Sequence, residues 1–173
     1  MLGINQTLKE FIAWSGLDKL SFSVTPCNNR DIGEQGFLFE CQESRVRISA
    51  HSINGIVAAI SEIAEFGMLR QGMALNPDLS YRAHQRWLPF DLGQKAYGQA
   101  GYDCFDHDTE NWWYDRRYWK EYLFELARGR YNAIHLWNVH PYPVLIRFKE
   151  HPYAAFFDAD RTEKNIEQFC WVV

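Results

Sequence analysis

The chain has 173 residues, a net charge of −4, and a composition that is 47% hydrophobic and 23% charged. That is one domain or two small ones, short of the roughly 200 residues or more that a complete (β/α)8 barrel needs. The apolar content excludes a disordered chain; no run approaches the ~20 apolar residues of a membrane span; and an acidic chain without a basic stripe argues against a nucleic-acid partner.

Thr7–Trp14 is expected to be a short helix. Thr7 and Glu10 form a capping box, Leu8, Phe11 and Ile12 share one face, and Gly16 stops it. Leu20–Thr25 alternates with period two and reads as a strand. Pro26–Gln35 is a polar turn region. Gly36–Cys41 and Arg45–Ala50 read as two more strands, joined as a hairpin by Gln42–Ser44. His51 and Ser52 open the strongest helix, in which Ile53, Ile56, Val57, Ile60 and Ile63 recur at helical spacing. Gly72 and Pro77 end the section. Residues 1–75 therefore predict an α+β layer with helices on one face of a sheet.

Residues 76–173 differ in character. Within Arg82–Leu92, Trp87-Leu88-Pro89-Phe90 reads as the centre of a buried strand ending at Asp91, although Pro89 is unusual there. Gly93–Glu110 is a long loop. Asn111–Arg128 predicts one amphipathic helix, with Tyr118, Trp119, Tyr122, Leu123 and Leu126 on its apolar face and Gly129 as C-cap. Asn132–Trp137 predicts a second buried strand, so the order gives a right-handed βαβ unit with parallel strands. His140–His151 is a loop. Asp160–Val173 predicts a helix with Ile166, Phe169, Cys170 and Val173 on its apolar stripe, still running at the last residue.

Cys27, Cys41, Cys104 and Cys170 show no zinc spacing. The N-terminus lacks a basic region followed by an apolar run, so no secretory signal is expected. A cytoplasmic setting with reduced thiols is the default.

In barrels and open α/β sheets, ligands sit at the carboxyl ends of strands. Asp91 lies at the end of the first strand, and Trp137, Asn138 and His140 lie at the end of the second. Arg86, inside the first strand, is either a fork for hydroxyls or a carboxylate or a core arginine held in an ion pair. Asp103, Asp106, Asp108 and Glu110 read as acidic dressing of a helix start. Aromatic residues make up 16% of the chain. Most aromatics fill cores, but their flat faces also stack on pyranose rings, and Trp112 and Trp113 are candidates for such a platform. His135 reads as a core histidine. His135 and His140 match no common zinc pattern, so no metal is expected; a metal-dependent hydrolase built on them and the acidic loop is a separate alternative. No carboxylate pair stands at a strand end, and no nucleophile elbow, P-loop or dinucleotide fingerprint occurs. No catalytic residue is assigned and no cofactor is expected.

The order of these motifs resembles a known arrangement. Gly36–Leu69, GFLFECQESRVRISAHSINGIVAAISEIAEFGML, looks like the small α+β domain preceding the catalytic barrel in β-N-acetylhexosaminidases of glycoside hydrolase family 20 and α-glucuronidases of family 67. Arg86–Asp91 (RWLPFD) is similar to the R-G-x-x-x-D strand that opens the hexosaminidase barrel, with Trp87 where that motif has Gly. Asn132–Trp137 (NAIHLW) resembles the N-x-x-H-x-x strand that follows, after a helix like Trp112–Arg128, and the family's Asp beyond it falls at His140. The resemblance implies an α+β accessory domain (1–75), then the first βαβ unit and part of the next helix of a truncated (β/α)8 barrel (76–173), with the rest expected beyond Val173. Arg86 would contact sugar hydroxyls, and the acid/base carboxylates would lie further on. It implies the N-terminal part of a glycosidase acting on an oligo- or polysaccharide, inactive alone. A non-catalytic carbohydrate-binding or scaffold module is the alternative.

Overall fold

A computed structural model describes residues 4–87, 111–137, 149–151 and 159–172, with the side chains of 87, 111, 137 and 159–162 left aside. The expected loops at Gly93–Glu110 and His140–His151, the end of the first strand at Leu88–Asp91, and Cys104 lie wholly or largely outside the described residues. The elements are α1 (Gln6–Trp14), β1 (Ser21–Pro26), β2 (Phe37–Gln42), β3 (Arg45–Ala50), α2 (Ile53–Phe66), β4 (Ala83–Trp87), α3 (Asn111–Tyr114), α4 (Arg116–Arg128), β5 (Ala133–Trp137) and α5 (Ala159–Val172). No helix among the described residues is long and apolar enough to cross a membrane.

The chain divides into two compact units. The first is Met1–His84 with Leu123–Ala133; the second is Gln85–Tyr122 with Ile134–Val173. The first unit thus runs past residue 75 and takes in the second half of α4, whose Phe124 belongs to its core.

In the first unit β3 is the central strand. It pairs parallel with β1 and antiparallel with β2. Strand alternation puts Phe37 and Phe39 of β2 and Val46, Ile48 and Ala50 of β3 into the core. Arg47 and Glu40, directly opposite one another, form an exposed ion pair. The outer edge of β2 is covered by the chain at 72–75: Leu75 N donates to Phe37 O, Phe37 N to Leu75 O and Gly72 N to Phe39 O, each at 2.9 Å. Leu8, Phe11 and Ile12 of α1 and Ile56, Ala59, Ile60 and Ile63 of α2 complete the core.

Two helix ends correct the expectation. The N-cap of α1 is Asn5, not Thr7: its side-chain oxygen accepts from Leu8 N at 2.9 Å. At the end of α4 the left-handed position falls not on Gly129 but on Arg130, with φ +61°. Arg130 N donates to Ala127 O and Tyr131 N to Leu126 O, both at 2.9 Å, the paired bonds of a Schellman turn. The arginine is held there by its charge: Nη2 reaches Glu62 at 2.8 Å and Glu65 at 2.9 Å.

In the second unit the expected single helix is broken at Asp115. Its carboxylate accepts from Arg117 N at 2.9 Å and Tyr118 N at 3.2 Å, capping α4. β4 and β5 pair with one another, but neither is a buried strand. Gln85 and His135 are exposed and their strand neighbours half-buried, because the sheet has only these two strands among the described residues. His135 is therefore not a core histidine. In α5 the buried positions are Asn165, Gln168 and Val172, while Cys170 is exposed. The helix is turned from the expected stripe because Tyr114 donates a hydrogen bond to the buried Asn165 and Arg116 lies over the Trp171 ring at 5.2 Å.

Candidate functional site

Arg86 sits on β4 where strand alternation points it away from the exposed Gln85. A charged group in a half-buried position needs compensation, and aromatic side chains supply it. The guanidinium lies 4.5 Å from the Trp112 ring centre, 5.4 Å from that of Tyr122 and 5.7 Å from that of Tyr118. Its Nη2 donates to the Tyr118 hydroxyl at 2.6 Å. Cation–π contacts of this kind contribute about 0.5–2 kcal/mol according to desolvation. No carboxylate among the described residues pairs with Arg86. Its Nε–H is buried and donates to no acceptor among the described residues.

The helical spacing of α4 builds this floor. Tyr118 and Tyr122 are four residues apart, so they share a face, and their rings stack at 5.9 Å with 8° between planes. Trp119 turns inward, is fully buried, and donates from Nε1 to Trp113 O at 2.9 Å. Tyr118 and Tyr122 are the partners that sequence reasoning missed. It placed them on an apolar face without noting that a phenol on that face can receive an arginine. The signal was the i, i+4 tyrosine pair in the helix that follows the arginine strand.

The sequence-predicted residues fare unequally. Arg86 and Trp112 are brought together. Trp113 is a correction: it is 0% exposed, packed edge-on against Trp112 and Trp119. A ring with no accessible face offers no platform to a sugar. Trp137 ends β5 as expected. Asp91, Asn138 and His140 lie outside the described residues. Among the described residues, no group of three or more His, Cys, Asp or Glu side chains is placed to hold a metal.

Burial pushes the Tyr122 phenol above its ordinary value; the Arg86 cation opposes the rise and Tyr118 adds to it. A phenol with a raised folded-state value binds its proton more tightly folded than unfolded. Its contribution to stability is therefore complete below the unfolded value, about 10, and is lost as pH rises through the folded value. Tyr122→Phe is expected to flatten the fall in stability above about pH 10. Denaturant midpoints measured across the alkaline range check this; identical pH profiles for both proteins would contradict it.

No family model and no curated protein matches the chain. Among solved structures it is similar to a GH138 enzyme targeting pectin rhamnogalacturonan II, with a TM-score of 0.68 at 20% identity. The match covers 99% of this chain and 22% of that one, so the chain spans about a fifth of the enzyme's length. At this identity the likeness is one of fold: a mixed α+β, glycoside-hydrolase-like arrangement. The neighbour belongs to a glycoside hydrolase family other than the two that the sequence resembles.

Proposed function

We propose that the chain is the front part of a carbohydrate-active glycoside hydrolase. The first unit serves as its accessory α+β layer, and β4, α4 and β5 open a (β/α)8 catalytic barrel. It lends part of a sugar subsite to the enzyme and does not turn over substrate alone. The substrate is an oligo- or polysaccharide, and the bond cleaved is glycosidic.

The observation that carries this reading is Arg86 on its aromatic floor, within a chain whose fold matches the GH138 enzyme along 99% of its length. A planar donor fork held against Trp112 and bonded to Tyr118 suits hydroxyls or a carboxylate better than a packing role does. Asp91, Trp137, Asn138 and His140, at or beyond the ends of the two strands, complete the proposed sugar-facing set. The acid/base carboxylates would come from elsewhere in the parent enzyme. A neighbour that acts on pectin makes acidic plant polysaccharides the first substrates to try.

Two measurements test the reading. The purified 173-residue chain should release no phenol from a panel of aryl glycosides; release would sink the claim that it is inactive alone. It should bind soluble pectic oligosaccharides, and Arg86→Ala should weaken that binding by roughly tenfold or more. Binding indifferent to Arg86 would remove it from the subsite.

A further inference from the structure

The first unit holds a pocket of about 490 Å³ that shares no residue with the Arg86 cluster. Its volume lies within the roughly 300–1,000 Å³ typical of small-molecule sites. Its lining includes the guanidinium side chains of Arg70, Arg82 and Arg130, the carboxylate of Glu62, and an apolar wall with Phe66 and Leu79.

Glu62 is the key to its charge. It is only 3% exposed, on the face of α2 that also carries Gly55, Ala59 and Phe66. Two guanidinium groups converge on it, Arg130 at 2.8 Å and Arg70 at 3.1 Å. The buried acid is thus matched by two cations. Asp78 is the other acid in the lining, and Glu65, outside it, also pairs with Arg130, so the three arginines stand among three carboxylates.

Donors are in surplus. An arginine carries about five N–H donors. Arg70 is ion-paired with Glu62 at 3.1 Å without a hydrogen bond to it, since Glu62 Oε1 takes none. Arg130 gives to Glu62 and Glu65 from one terminal nitrogen. Arg82 gives to the carbonyls of Arg130 and Leu79. Gln35 and Asn76 are already engaged, with Ser80 and Asn132 and with Asp31 and Gly33 respectively. Glu62 Oε1 and the Asp78 carboxylate remain as acceptors in the lining, but the three forks carry more N–H groups than these take up, and a ligand that fits the pocket brings acceptors for the rest. Arg70 is the adaptable member: it is about half exposed, and its guanidinium lies over Phe66 at 4.9 Å. The cation is stacked in place with most of its fork unused.

We propose that this pocket binds a sugar acid, with the ligand carboxylate taken by Arg70 and Arg130 and its ring lying along Phe66 and Leu79. The first unit is then a carbohydrate-recognising module in its own right. This stands apart from the Arg86 reading, because the two groups of residues are disjoint.

The test is titration of the full chain with D-galacturonate and D-glucuronate, followed by amide shifts in NMR. Saturable binding is expected, with shifts at Glu62–Leu79 and Gly129–Tyr131. Galactose and glucose should bind roughly tenfold more weakly or worse, since they lack the charge. Arg70→Gln should cost a similar factor and lower the unfolding midpoint only modestly, because the buried Glu62 loses one cation and keeps Arg130. Leu79→Glu places an acid on an exposed rim and should also weaken uronate binding. Equal binding of neutral sugars would overturn the acid half of the proposal. Inorganic phosphate or acetate binding as well as the uronates would overturn the sugar half. Shifts confined to Arg86 and Trp112 would overturn the pocket while leaving the Arg86 subsite standing.

Discussion

Trp119→Ala is expected to cost about 3–5 kcal/mol, the range for truncating a buried aromatic. Trp119 has no exposed surface. Its ring centre lies 5.6 Å from that of Trp113, 5.7 Å from that of Trp112 and 5.8 Å from that of Tyr122. Removing it opens a cavity that three rigid neighbours cannot refill, and it orphans the Trp113 carbonyl that its Nε1 satisfies at 2.9 Å. Trp119→Phe keeps most of the volume and loses the hydrogen bond, so its expected cost is smaller, about 1–2 kcal/mol. Denaturant midpoints for the two variants measure this directly. A Trp119→Ala cost below about 1 kcal/mol would mean that the cluster is loosely packed, and that Arg86 has no fixed floor.

Gly55→Ala is expected to destabilise, against the usual sign for a helix. In an ordinary helical position this change gains about 1 kcal/mol. Here the added Cβ would stand 2.4 Å from the Gly36 carbonyl oxygen and 3.0 Å from the Ala50 Cβ. The nearest obstacle is backbone, which cannot swing aside as a flexible side chain would. Overpacking of this kind costs about 1–3 kcal/mol, and the net loss expected is up to about 2 kcal/mol once the helix gain of about 1 kcal/mol is subtracted. Gly55→Val should be worse, because it adds branching at the same contact. A stabilised alanine variant would show that the helix start does not press on the Gly36 carbonyl as the distances indicate.

Much of the fold was legible because its signals are local. The alternation in Arg45–Ala50 gave β3 with both ends correct, and Ser52 caps α2 as its position implies. The misreadings have a common cause: several residues offered the same local chemistry, and distant partners decided between them. Asn5 and Thr7 each carry an oxygen able to cap α1. Gly129 has the propensity for a left-handed turn, but Glu62 and Glu65, more than sixty residues away, hold Arg130 in that conformation instead. Of the site, Arg86 and Trp112 were readable from strand and loop position. The tyrosine floor was hidden inside an apolar helical face. The pocket around Glu62 draws its lining from separate stretches between Gln35 and Arg130, and no pattern along the chain announces such a gathering.

The left-handed Arg130 makes charge and backbone separable by substitution. At this position an L side chain costs roughly 1–2 kcal/mol that glycine does not. Arg130→Ala keeps that conformational cost and deletes both ion pairs; Arg130→Gly deletes the same pairs and removes the cost. The difference between the two variants is therefore a measure of the turn alone. What remains of the glycine variant's deficit, once that difference is added back, is the electrostatic contribution of one guanidinium between Glu62 and Glu65.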